Sequence, residues 1–211
     1  MTAPKIYTRA GDDGTTGLFY GGRVRKDSAA PVAYGTVDEA QAALGMARAE
    51  AERGGELDEL LIRLERDLYV CMAELATAAE NRPKLTPGTT LVTEEMVAGL
   101  EPLIDDLLAR FPMPSDFVLP GGTRAAAALD VARTVVRCAE RESLAVAPDG
   151  SFVIAYLNRL SDLLWAMARW QMSATSEIVR RPYRNPSGLF ERMASWYSRS
   201  SADTQPAEFS R

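Results

Sequence analysis

The sequence predicts an all-α protein, an antiparallel bundle of five helices preceded by a short N-terminal arm. Three observations carry that reading. Apolar residues return at helical spacing in long runs, as in Leu57, Leu60, Leu61, Leu64, Leu68, Cys71 and Leu75. Turn formers punctuate the runs at Gly54-Gly55, at Pro83, Pro87 and Gly88, and at Pro120-Gly121-Gly122. Residues 1–31 are rich in Gly, Asp, Thr and Arg, have no helical period, and read as a loop or short extended arm.

The first helix is expected to start near Thr36, where Thr36 and Glu39 have capping-box spacing, and to end at Gly54-Gly55. The second runs from about Glu56, and the stretch from Asn81 to Leu91 is a loop. The third begins at Thr93 and stacks Met96, Leu100, Leu103, Leu107 and Phe111, with Pro102 kinking it or marking a restart. The fourth spans about Thr123 to Leu144. The fifth holds Tyr156, Leu157, Leu160, Leu164 and Met167, and Trp165 and Trp170 are assigned to the core with them. The expected division is a mobile arm at 1–31, a bundle at 32–172 and a C-terminal extension at 173–211, its polar end from Ser200 disordered.

A chain of 211 residues with 46% hydrophobic content suffices for one compact unit with a sizeable core. The net charge of −5 offers no basic excess to neutralise a nucleic acid, so any anion site must come from local clusters. No apolar run approaches the roughly 18 residues of a membrane span, and Met1–Ile6 lacks the apolar stretch of a signal peptide. Cys71 and Cys138 sit in helical patterns and read as small buried hydrophobes. A soluble, cytoplasmic protein with no membrane or nucleic-acid partner is therefore expected. The chain has no histidine, which excludes Ser-His-Asp and Cys-His nucleophile pairs, imidazole metal sites and His general bases.

Two segments carry chemistry. In the arm, Thr8-Arg9-Ala10-Gly11-Asp12-Asp13-Gly14-Thr15-Thr16-Gly17 lets backbone N–H groups converge on an anion, with Arg9, Arg23, Arg25 and Lys26 supplying positive charge nearby. It lacks the Gly-Lys-Ser/Thr of a Walker A loop, and a plain turn region with surface charge fits it as well. In the fourth helix, Arg133, Arg137 and Arg141 share one face, flanked by Asp130 and Glu140. Aligned guanidinium groups suit a polyphosphate, and equally an exposed Arg/Glu ladder. Asn158 and Asp162 lie one turn apart on one face of the fifth helix, and an interhelical polar network accounts for Asp162.

Together, Tyr7–Gly17, Lys26-Asp27 with Ala33-Tyr34-Gly35 and Asp38-Glu39, Phe117–Arg141 and Tyr156–Asp162 resemble the ATP:cob(I)alamin adenosyltransferases of the propanediol-utilisation type. The resemblance covers roughly residues 5 to 171. It implies a ferritin-like up-and-down bundle, assembled as a homotrimer, with the arm as a nucleotide-binding loop that closes over ATP between subunits. It further implies that Thr8, Arg9, Ala10, Gly11, Thr16 and Gly17 line the nucleotide, that Lys26 reaches the phosphates, and that Arg137, Cys138, Ala139, Glu140 and Arg141 form a wall at the triphosphate. Asn158 matches another ATP contact. Asp38 and Arg133 match a pair that salt-bridges neighbouring subunits. Phe117 matches the aromatic residue that displaces the lower axial ligand of the corrinoid.

The implied reactants are ATP, with Mg²⁺ carried on its phosphates and no side-chain metal ligand, and cob(II)/cob(I)alamin. A reductase and an adenosylcobalamin-dependent enzyme are implied as partners. The chemistry suits a chain without histidine: cob(I)alamin needs no general base to attack C5′, and tripolyphosphate leaves as an anion. Three departures stand out: Asp130 where the family has His, Cys138 where it has a second Arg, and Asp38-Glu39-Ala40-Gln41 where it reads Asp-Glu-Leu-Asn. They leave open two rivals to an active transferase: a corrinoid or ATP carrier with little turnover, and a helical interaction module.

Overall fold

A computed structural model describes residues 6–114 and 118–173. It is mostly helical. The arm folds into a two-stranded antiparallel hairpin, β1 (Thr15–Gly17) on β2 (Arg23–Arg25). Six α-helices follow among the described residues, in place of the expected five: α1 (Ala29–Ala49), α2 (Glu56–Leu75), α3 (Glu94–Ala98), α4 (Glu101–Leu108), α5 (Arg124–Ser143) and α6 (Val153–Ser173). A 3-10 helix, Ala79–Lys84, occupies the start of the segment expected to be loop.

The extra helix arises where the third was expected. The chain breaks after Gly99 and restarts with Pro102 in the first turn of α4, where a missing N–H removes no helical bond. α1 begins at Ala29, well before Thr36. Ser28 stands at its N-cap and Pro31 in its first turn, again among N–H groups with no intrahelical partner. Thr36 is not a cap: its hydroxyl donates back to the Val32 carbonyl at 2.8 Å. α1 also ends at Ala49, before the glycine pair. The starts of α2 and α5 agree with the sequence, and Thr123 caps α5 by accepting from the Ala126 N–H at 3.0 Å.

Cross-helix contacts fix the directions. Gln41 donates to the Glu65 carbonyl at 2.7 Å and Arg48 pairs with Asp58 at 2.7 Å, so α1 and α2 are antiparallel. Asn158–Glu140 and Arg169–Asp130 set α6 antiparallel to α5 in the same way. Glu50 lies near Arg124, which puts the end of α1 at the start of α5. α4 departs from the alternation: Glu101 meets Arg159 and Arg110 lies over Trp170, so it runs parallel to α6.

The core is built on α1, α2, α5 and α6. Ala33, Ala40 and Ala47 on α1 and Ala126, Ala132 and Ala139 on α5 are fully buried, and such small side chains let packed helices approach closely. Leu44, Leu61, Leu64, Leu68, Leu129, Leu160 and Leu164 fill the remaining volume. Met167 is buried with them, whereas Trp165 and Trp170 are half-buried at its edge. Cys71 is the buried hydrophobe expected, and burial pushes its thiol well above the ordinary range. Cys138 is not: it is half-exposed on α5. The region from Ser200 lies outside the described residues.

Candidate active site

The arm's shape is set by its own polar groups. Asp13 accepts from both the backbone N–H and the hydroxyl of Thr15, at 2.9 and 2.7 Å, and these bonds hold its carboxyl below the usual range. Arg23 reaches back across the hairpin to the Ala10 carbonyl and the Thr15 hydroxyl. Thr16 pairs with Val24 and Gly17 with Arg23, while the Lys26 N–H closes on the Gly14 carbonyl at 2.9 Å. Arg9 holds a left-handed backbone, φ 61°, at the turn that follows Thr8, whose hydroxyl accepts from the Ala10 N–H at 3.4 Å. Gly11 sits in tight quarters: a Cβ there would lie 3.0 Å from the Thr15 carbonyl oxygen and 3.1 Å from Lys26 Nζ.

These contacts divide the expected cations. Arg23 is spent on the loop, and Arg25 pairs with Asp27 at 2.7 Å. Arg9 lies over the Tyr7 ring at 5.8 Å. Lys26 is exposed with its ammonium beside Gly11. Phe19 anchors the hairpin to the bundle by donating its N–H to the Ala76 carbonyl at 2.9 Å, just past α2. The arm therefore sits at the end of the bundle where α1 and α6 begin and α2 and α5 finish.

The last turns of α5 lie at that same end. Arg137 and Arg141 are exposed, and among the described residues neither guanidinium pairs with a carboxylate; Arg141 donates to the Arg137 carbonyl at 2.9 Å. Asn158, in the second turn of α6, donates to Glu140 at 2.9 Å and joins the two helices beside them. Cys138 is half-exposed in the same stretch, whereas Ala139 faces the core and backs the wall without adding surface to it. No hydrogen bond or ion pair among the described residues joins the arm to Arg137 or Arg141 within one chain. Asp38 is exposed, and Arg133 turns within the chain toward Asp130, its Nε 3.6 Å from that carboxylate. Phe117 lies outside the described residues.

The protein-family profile described as "Cobalamin adenosyltransferase" matches residues 6–171. The chain belongs to that family. Corrinoid adenosyltransferase from Mycobacterium tuberculosis (strain H37Rv) is 43% identical over 170 residues, 78% of this chain and 87% of that protein. The Bacillus subtilis enzyme of the same name is 39% identical over 171 residues, covering 78% and 85%. Among solved structures, a variant PduO-type ATP:corrinoid adenosyltransferase from Lactobacillus reuteri, complexed with cobalamin and ATP, superposes with a TM-score of 0.73. It is 31% identical and covers 86% of this chain and 97% of that one. A second variant of that type, complexed with ATP, gives a TM-score of 0.72 at 31% identity, covering 81% and 96%.

For a cobalamin adenosyltransferase, a carboxylate at Asp130 raises the concern of repelling phosphate, and its burial answers it. Asp130 is 5% exposed and pairs with Arg169, itself 4% exposed on α6. Arg133 stands on its other side, so the added negative charge is matched inside the bundle, near the start of α5 and away from Arg137. The sequence reading missed Arg169, although a charged residue amid the otherwise apolar stretch Leu163–Trp170 is itself a signal of a buried partner. It also missed an apolar cleft of about 240 Å³ between α4 and α6, lined by Ile104, Leu108, Met113, Asp162, Trp165 and Ala166. Asp162, one turn beyond Asn158, is held by Arg159 at 2.9 Å.

Proposed function

We propose that this chain transfers the 5′-deoxyadenosyl group of ATP to the cobalt of cob(I)alamin, releasing adenosylcobalamin and tripolyphosphate. The observation that carries the proposal is the Arg137/Arg141 face. Two guanidinium groups with no carboxylate partner among the described residues stand beside the Asn158–Glu140 link, at the same end of the bundle as a glycine hairpin presenting Lys26. On this reading Thr8, Arg9, Ala10, Gly11, Thr16 and Gly17 enclose the nucleotide, and Lys26, Arg137 and Arg141 hold the phosphates. Cys138, Glu140 and Asn158 complete the wall.

The roles follow from the chemistry. Attack of the cobalt nucleophile on C5′ breaks the C5′–O bond and leaves negative charge on tripolyphosphate. No proton needs to move at carbon, so the demand on the protein is alignment and charge stabilisation. Planar guanidinium forks meet that demand at the phosphates. Mg²⁺ is assigned to the triphosphate itself. Phe117 is assigned to the corrinoid, where an apolar ring displaces the lower axial ligand and eases reduction of cob(II)alamin.

The family resemblance supports a homotrimer with ATP between subunits and Asp38 facing a neighbour's guanidinium; among the described residues no hydrogen bond or ion pair joins the arm to Arg137 or Arg141 within one chain. The proposed setting is the cytoplasm, with a reductase supplying cob(I)alamin and an adenosylcobalamin-dependent enzyme receiving the product. No helix among the described residues is long and apolar enough to cross a membrane. The test is a coupled assay with ATP, a reductant and cob(III)alamin, followed by the absorbance of adenosylcobalamin. Product formation supports a transferase. Tight binding of ATP and corrinoid without product would make the chain a carrier. Phe117→Ala should lose four-coordinate cob(II)alamin and recover much of its rate when cob(I)alamin is supplied chemically.

A further inference from the structure

Glu74, in the last turn of α2, is a charged side chain that is only 1% exposed. Both of its carboxylate oxygens are occupied. Oε1 accepts from Arg82 at 2.9 Å and from the Ser151 hydroxyl at 2.7 Å, and Oε2 accepts from the Val92 N–H at 2.8 Å. One carboxylate thus ties together the 3-10 helix, the segment leading to α3 and the entry to α6. Filled in this way it is rigid, because losing any donor leaves buried charge unsatisfied.

The arm docks on this same assembly. Phe19 bonds to Ala76 and bridges to Thr77, and Thr77 in turn donates its N–H to the Glu74 carbonyl at 3.1 Å. Tyr20 lies 5.9 Å from Lys84 Nζ, and Lys84 is the last residue of the 3-10 helix that Arg82 pins to Glu74. On the other side, Ser151 accepts from the Val153 N–H at 3.2 Å and so starts the helix that carries Asn158. We infer that Glu74 is a positioning residue for the nucleotide: it fixes the seat of the arm relative to Asn158 without touching ATP. This rests on the proposed ATP-binding role of the arm.

The test compares Glu74→Gln and Lys84→Ala with the wild type, by Mg-ATP titration in a calorimeter and by steady-state turnover with chemically supplied cob(I)alamin. Glu74→Gln should raise the KM for ATP about ten-fold, with kcat within about two-fold and the corrinoid KM unchanged. Lys84→Ala removes the exposed contact with the Tyr20 ring together with the Nζ bond to Asn81 Oδ1 at 2.8 Å, and should raise it about two- to five-fold. A structural role alone would lower kcat and corrinoid use together, and that result overturns the inference, as does wild-type ATP binding in both variants. If Glu74→Gln does not fold, Lys84→Ala decides on the same readout. A wild-type protein that binds no Mg-ATP overturns the reading of the arm and this inference with it; one that binds Mg-ATP while the variants match it overturns the inference alone.

Discussion

Arginine serves α5 in two opposite ways. At mid-helix the half-buried Arg133, together with Arg169 of α6, flanks one buried carboxylate, Asp130. One and two turns on from Arg133, Arg137 and Arg141 face outward with no carboxylate partner among the described residues. Arginine is a structural element where it meets a buried carboxylate and a candidate anion site where it is exposed with no carboxylate partner among the described residues. Spacing alone does not distinguish them. Burial and the partner across the helix interface do.

The comparison breaks most visibly at Asp130. Asp130→Asn keeps the volume but leaves Arg169 charged and buried, and urea unfolding should show a loss of about 3–5 kcal/mol. Replacing both partners by apolar residues of similar size should recover most of it. If Asp130→Asn unfolds like the wild type, the buried end is not the structural half.

Arg137→Ala should do the reverse, leaving the melting temperature in place while lowering kcat/KM for ATP. Loss of a charge-assisted phosphate contact corresponds to about 1.5–3 kcal/mol, or roughly one to two decades in rate. Arg137→Lys should recover part of it, since an ammonium lacks the planar fork. Unchanged kinetics in Arg137→Ala would return the exposed arginines to an ordinary surface ladder. Gly11→Ala sharpens the functional half further. Its methyl would press on the Thr15 carbonyl and on Lys26, so the KM for ATP should rise about three- to ten-fold through misplacement of the ammonium, with thermal stability unchanged.

The smallest effect concerns another paired carboxylate. The Gly54 N–H and the Arg48 guanidinium hold the Asp58 carboxyl below the usual carboxylate range. Its contribution to stability is present above the unfolded pKa of about 4 and is lost as pH falls from there through the folded value. Asp58→Asn should therefore flatten the acid limb of a stability–pH profile. A profile with the wild-type slope would show that Asp58 titrates alike in both states.

Much of this was legible in advance. The starts of α2 and α5 follow from periodicity and the glycine turns before them, whereas the ATP roles of Gly11, Lys26, Arg137 and Asn158 rest on the resemblance to the family. The start of α1 was not, because Pro31 and Gly35 resemble loop residues until the first turn is seen to need no N–H from Pro31. The break at Gly99 was left as one of two outcomes for Pro102. Arg169, Glu74 and Asp58 escaped for a shared reason. Each is a charge on a helix face otherwise apolar, and its partner lies across the fold or beyond a turn, where no sequence period points. Assembly likewise lies beyond spacing within one chain.

α6 carries the Ser151 entry, Asn158, the cleft residues Asp162 and Trp165, and finally Arg169. A rigid helix in that role is a ruler. With a rise of about 1.5 Å per residue, Asn158 and Trp165 are about 10 Å apart along the axis and nearly aligned, being two turns distant. One residue inserted between them would swing Trp165 by about 100° and carry Arg169 off Asp130. Length variation among relatives should accordingly be absorbed in the turn around Thr86–Thr90, while the count of residues from Asn158 to Arg169 stays constant.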